Sequence, residues 1–179
     1  MKSGQRGLTL ACLLFWFALA HSGQLTGRVV AVADGDTVTL RDDTGRQHRI
    51  RLQGIDAPEN DQPHGNASKE ALTQWVLNRD VAVEHQKRDS YRRILGKVLL
   101  DGEDINLRMV RTGMAWHYKR YQADQRWDDR WRYAWAQWRA QSERKGLWVE
   151  PDPMPPWDFR RQQRTQRFRD EPASAPAGS

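Results

Sequence analysis

The sequence predicts an α+β domain, specifically a small closed β-barrel with helices packed on it. Three observations carry that expectation. Five short β-rich runs recur along the chain with turn-forming residues between them. Three further stretches place apolar residues at helical spacing. The length, 179 residues, allows one domain with a single core.

The first two strands lie in "LTGRVVAVADGDTVTLRDD", on either side of Asp34-Gly35, a dipeptide that suits a tight hairpin because it tolerates positive φ. "GRQHRIRLQGI" alternates, with Ile50 and Leu52 on one face and Arg49, Arg51 and Gln53 on the other. A helix is expected from about Asn66 to Asn78, with Leu72, Trp75 and Val76 on its apolar side and Asn66 or Ser68 as candidate caps. "VAVEH" and "ILGKVLL" supply the fourth and fifth strands. "DINLRMVRTG" reads as a short helix that buries Ile105, Met109 and Val110 and stops at Gly113. A long helix follows from about Ala123 to Lys145 and ends at Gly146.

Both ends differ from this domain. Lys2 and Arg6 precede the uncharged apolar run Leu8–Ala20, and Ala18-Leu19-Ala20 fits a small-residue cleavage site. The run is shorter than the ~20 residues of a membrane span, so residues 1–20 read as a signal peptide, with an uncleaved N-terminal anchor as the alternative. A secreted or periplasmic location follows, with membrane contact only if the run stays attached. The one cysteine, Cys12, lies in this run, so the domain at 21–150 needs no disulfide. Residues 151–179 are rich in proline and arginine and predict an extended, partly disordered tail. The formal charge of +6 points to polyanionic partners, nucleic acid above all.

Two acidic clusters sit at strand ends, Asp34 and Asp36 in "DGDT" and Asp56 and Glu59 in "DAPE". Carboxylates on separate turns can converge on one hard cation, which prefers oxygen ligands. Arg51 and Arg93 could then face a phosphate, since a guanidinium binds phosphate oxygens bidentately and keeps its charge. Glu59 is left to orient or deprotonate a water. Such a set suits phosphodiester cleavage, where charge develops on the oxygens around phosphorus. Taken singly, each piece also reads as a turn or a solvated charge. His48, His64, His85 and His117 show no metal-ligand spacing and read as ordinary surface or core residues.

Order and spacing change that balance. The stretches "VVAVADGDTVTL", "RIRLQGIDAPE", "DSYRRILGKVLLDG", "INLRMVRTGMAW" and "KGLW" follow one another in a pattern that resembles the staphylococcal nuclease (thermonuclease) family over roughly Leu25 to Trp148. The resemblance implies a five-stranded OB-type barrel with three helices, and a Ca²⁺-dependent nuclease acting on DNA and RNA that leaves 3′-phosphates. It assigns the metal to the carboxylates of Asp36 and Asp56 and the carbonyl of Ala57, which stands where the family has threonine. It assigns the base to Glu59, the phosphate contacts to Arg51 and Arg93, and substrate binding to Tyr91 and Tyr121. Ser90 and Arg92 depart from the family pattern, where a lysine and a glycine stand, and the segment after Glu59 is short. No protein partner is implied, and a monomer is expected. A catalytically silent OB-type module that only binds nucleic acid is the alternative.

One feature lies outside the resemblance. Trp127, Trp131, Trp135 and Trp138 form a single stripe on the long helix, with Arg126, Arg130, Arg132 and Arg139 interleaved. The stripe is expected to pack the helix onto the barrel. A platform for stacking unpaired bases is the alternative.

Overall fold

The computed structural model describes residues 23–170; the apolar N-terminal run and residues 171–179 lie outside them. The strands are β1 (Gly23–Asp34), β2 (Thr37–Arg41), β3 (Gln47–Leu52), β4 (Ile55–Asp56), β5 (Asp80–Arg88), β6 (Ile94–Leu100), β7 (Glu103–Asp104) and β8 (Trp116–His117). The helices are α1 (Gly65–Val76), α2 (Ile105–Arg111), α3 (Trp127–Ser142) and α4 (Pro156–Asp170).

Five strands close the expected α+β barrel. Their order is β3-β2-β1-β5-β6, and parallel pairing of β3 with β6 returns the sheet to its start. The long strand β1 serves two neighbours, pairing with β5 over Gly23–Arg28 and with β2 from Arg28 to Asp34. Side chains alternate on each strand. On β6, Ile94, Gly96, Val98 and Leu100 point inward to meet Val38, Leu40, Ile50 and Leu52. Leu72 and Val76 of α1 and Ile105, Met109 and Val110 of α2 complete the core.

Local chemistry differs from expectation in places. The β1–β2 turn is Gly35-Asp36, with Asp34 paired to Thr37, and Gly35 is not among the positive-φ glycines. Its reason is space, since a Cβ there would lie 2.0 Å from Ser68 Oγ. Helix α1 starts after His64, which makes no side-chain cap, so neither Asn66 nor Ser68 is the cap. Ser68 is buried and donates to the Met114 carbonyl at 2.7 Å, tying the helix to the loop after α2. Gly113 does end α2, with a φ of 71°.

The largest correction concerns α3. It begins at Trp127 rather than Ala123, because residues 119–124 form a separate 3₁₀ turn. Its buried face is Asp129, Tyr133, Ala136 and Ala140, and the Tyr133 hydroxyl donates to Asp104 at 3.0 Å. At about 100° per residue the Trp stripe falls on the opposite side. Trp127, Trp131, Trp135 and Trp138 are accordingly 73, 74, 60 and 54 % exposed. The small alanine face lets the helix approach α2 closely, which a tryptophan face would prevent. Three interleaved arginines are paired with acids: Arg126 with Asp128, Arg132 with Asp129 and Arg139 with Glu143.

The chain after Trp148 is not extended throughout, as residues 156–170 form α4. Pro156 opens it at the position where a missing N–H costs nothing. Trp157 packs against Trp116 and Tyr118, with ring centroids 6.4 and 5.3 Å apart. Gln62 donates to the Met154 carbonyl at 2.6 Å, and Gln163 to Asp61 at 2.7 Å. The two hydrogen bonds join residues more than ninety positions apart, which local composition does not register.

Candidate active site

Register places the site. Thr37 pairs with Arg51, so the carboxylate of Asp36 stands beside the end of β3. Arg51 in turn pairs with Leu95, two residues from Arg93, and the alternation of β-strands puts both arginines on the same outward face. Pairing of Asp56 with Trp116 fixes the turn that follows β4. The Leu52 amide also donates to the Asp36 carbonyl at 2.8 Å, locking the two turns together.

Arg51 is the hub. Its Nη1 lies 2.9 Å from Asp36 Oδ2 and donates to the carbonyls of Leu52 and Ile55 at 3.1 and 3.0 Å. Its Nη2 donates to Asp56 Oδ1 at 2.8 Å. Two buried carboxylates from separate turns thus converge on one guanidinium. Asp36 also accepts from the Ala57 amide at 2.8 Å and the Thr37 hydroxyl at 3.1 Å. Burial pushes the Asp36 carboxyl well above the usual range, with Arg51 pulling the other way.

Arg93 is held differently. Its Nε donates to Asp89 Oδ2 at 2.7 Å, and its guanidinium lies 5.4 Å from the ring of Tyr91. Burial works against the charge on Asp89, but donation from Arg93 and from backbone amides outweighs it and lowers the pKa. Tyr91 is 80 % exposed at the rim, and Tyr121 stands edge-on to Tyr118 at 5.4 Å. Arg92 has a φ of 63°, in the left-handed region. That conformation accounts physically for a glycine at this place in the family pattern.

All eight expected site residues line one cleft of about 680 Å³: Asp36, Arg51, Asp56, Ala57, Glu59, Tyr91, Arg93 and Tyr121. A second cavity of about 700 Å³, walled by Trp116, Trp148 and Trp157, lacks this convergence of buried carboxylates and arginines. Among the described residues, no three His, Asp or Glu side chains form a metal-holding group. A cation at Asp36 and Asp56 would therefore also need the Ala57 carbonyl and water. The donor set is all hard oxygen, which fits Ca²⁺ with a water-completed shell. The pull of these carboxylates on positive charge is visible in the residue that meets them.

That residue is Arg160 on α4, within the stretch expected to be an extended tail. Its Nη2 donates to Asp56 Oδ2 at 2.7 Å and its Nη1 to Glu59 Oε1 at 2.6 Å. Burial disfavours its charge, but Asp56 and Glu59 overcome this and raise its pKa. Arg164, one turn on, lines the same cleft. The i, i+4 spacing of two arginines was the available signal, though it says nothing of where the helix docks.

Residues 49–150 match the family described as staphylococcal nuclease homologues. The chain belongs to the staphylococcal nuclease family. It is 38 % identical over 158 residues to an uncharacterized endonuclease of Haemophilus influenzae, covering 88 % of this chain and 85 % of the relative. An uncharacterized endonuclease of Escherichia coli is 42 % identical over 135 residues, 75 % of this chain and 84 % of the relative. A probable staphylococcal-like nuclease of Oryza sativa subsp. japonica is 41 % identical over 121 residues, 66 % of this chain and 34 % of the relative. The match begins at Arg49, so it takes in Arg51, Asp56, Glu59 and Arg93 and leaves Asp36 and α4 outside.

Proposed function

We propose that this chain is a Ca²⁺-dependent nuclease that hydrolyses phosphodiester bonds of DNA and RNA and leaves 3′-phosphates. The observation that carries the reading is the convergence of Asp36 and Asp56 on Arg51 in a cleft that also holds Glu59 and Arg93. Asp36, Asp56 and the Ala57 carbonyl would hold the cation, which supplies positive charge against a phosphate oxygen.

Glu59 orients a water toward phosphorus and accepts its proton. The water oxygen forms the new P–O bond as the bond from phosphorus to the 5′ oxygen breaks, and that oxygen takes up a proton. Arg51 and Arg93 donate N–H groups to the phosphate oxygens as their charge grows, which favours the transition state over the ground state. Tyr91 at the rim suits a terminal phosphate, and Tyr121 a neighbouring nucleoside. The N-terminal run supports export to the periplasm or medium.

The test is digestion of duplex DNA, single-stranded DNA and RNA by the purified protein with Ca²⁺, Mg²⁺ or a chelator, beside Glu59→Gln. Cleavage that needs Ca²⁺ and falls in the variant is expected. Binding of nucleic acid without chelator-sensitive cleavage would establish the silent module instead.

A further inference from the structure

We propose that α4 is a cation-displaced latch, in which Arg160 occupies Asp56 and Glu59 and must withdraw before a divalent cation and substrate use them. This rests on the metal-dependent reading above and adds regulation of the same site.

The acceptor geometry of Asp56 makes the competition unavoidable. Its Oδ1 takes Arg51 at 2.8 Å and Arg160 at 3.3 Å, and its Oδ2 takes Arg160 at 2.7 Å. The carboxylate is buried, so its remaining approach is through the cleft that α4 covers. A cation bound there would also stand against a guanidinium, and like charges at one carboxylate oppose each other. One arginine has to yield.

The two arginines are anchored unequally. Arg51 is fixed to the barrel by two backbone carbonyls and Asp36 as well as Asp56. Among the described residues Arg160 holds only Asp56 and Glu59, from a helix whose sole buried residue is Pro156. Beyond Arg160 the docking contact is Gln163 with Asp61, and before it Trp157 with Trp116 and Tyr118. A helix with so little buried apolar surface opens at low cost. It carries five arginines against two aspartates, so an opened α4 presents net positive charge beside the cleft. Nucleic acid would then favour the open form together with the cation.

The latch lowers apparent cation affinity by the fraction of molecules that are closed. The experiment compares the full chain with Arg160→Gln and with Arg161→Gln, whose parent side chain pairs with Asp158 instead. Ca²⁺ affinity is read by calorimetry, and opening of α4 by amide hydrogen exchange over residues 160–170. Arg160→Gln is expected to bind Ca²⁺ on the order of tenfold tighter, with Arg161→Gln unchanged. In the parent, Ca²⁺ should raise exchange in α4 toward the level that Arg160→Gln shows without it. Equal or weaker Ca²⁺ binding by Arg160→Gln, or exchange in the parent that ignores Ca²⁺, overturns the latch while the metal site stands. Lower nucleic-acid affinity with unchanged Ca²⁺ binding makes Arg160 a substrate contact and also overturns it. If neither protein binds Ca²⁺, the latch falls together with the metal reading. The exchange measurement on the parent decides the question even if Arg160→Gln folds poorly.

Discussion

Replacing Arg51 by lysine separates its contacts in the fold from the phosphate role proposed for it. In the folded protein Arg51 spans Asp36, Asp56 and the carbonyls of Leu52 and Ile55. A lysine ammonium is a point donor on a flexible stem and cannot reach two carboxylates from separate turns in the same geometry. Removing one partner from a buried charge network costs about 3–5 kcal/mol, because a charge is left uncompensated. Lysine keeps the charge and restores part of this, so Arg51→Lys should cost about 2 kcal/mol. For a domain of this size that lowers the melting temperature by about 4–8 °C. Arg93→Lys is the matched control. Its guanidinium has one carboxylate partner, Asp89, and stands nearer the surface, so the loss should stay within about 1 kcal/mol.

Activity should not follow this difference. If Arg51 and Arg93 clamp the phosphate as proposed, both lysine variants lose an aimed bidentate donor, and each should lose about 10²–10³ in turnover. Ca²⁺ adds a third distinction. A cation at Asp36 and Asp56 supplies part of the compensation that Arg51 provides, so saturating Ca²⁺ should narrow the stability gap of Arg51→Lys and leave Arg93→Lys untouched. Thermal melts with and without Ca²⁺, and turnover measured well below the melting temperatures, check all three. Equal melting temperatures for the two variants, or a gap at Arg51 that ignores Ca²⁺, would refute the account of Arg51 as the hub.

Trp131→Ala should change stability by no more than about 0.5 kcal/mol, since the side chain is exposed. Arg92→Gly should raise stability by about 1 kcal/mol in a denaturant titration, because glycine relieves the left-handed backbone at some cost in chain entropy; destabilisation would mean that the Arg92 side chain matters more than its φ. His117 is buried with its Nε2 2.9 Å from Gln125 Oε1, and burial lowers its pKa despite that bond. A depressed histidine pKa means that the unfolded chain binds the proton first. Its contribution to stability is therefore fully present above about pH 6.5 and declines as pH falls toward the folded pKa. An NMR titration of the His117 ring should give a midpoint below 6.5, and one at or above it would contradict the assignment.

What was legible in the sequence was what depends on local alternation and on register between neighbouring strands. Ile50 and Leu52 face the core because β3 alternates, and the same alternation turns Arg51 outward toward the carboxylates. The cleft residues come from turns adjoining paired strands, so once the strands are placed the site follows. Glu59 and Arg93 stand around the same opening for that reason, whereas Tyr91 and Tyr121 were named by the family resemblance alone.

The misread parts depend on which of two periodic faces meets a partner. Helix α3 has a tryptophan face and a Tyr133–Ala136–Ala140 face, both at helical spacing, and hydrophobicity alone selects the wrong one. The choice is made by closeness to α2 and by the hydrogen bond from Tyr133 to Asp104. Both are long-range facts. Helix α4 fails for the same reason in the opposite direction. Its residues read as an extended tail because its partners, Asp56, Glu59 and Asp61, lie about a hundred residues earlier. An acidic site strong enough to gather a divalent cation is also strong enough to gather a guanidinium from its own chain. The same carboxylates that make the cleft a candidate for metal chemistry therefore explain why a basic segment folds back over it. Composition describes the charge of such a segment, and only the fold shows which acids it answers.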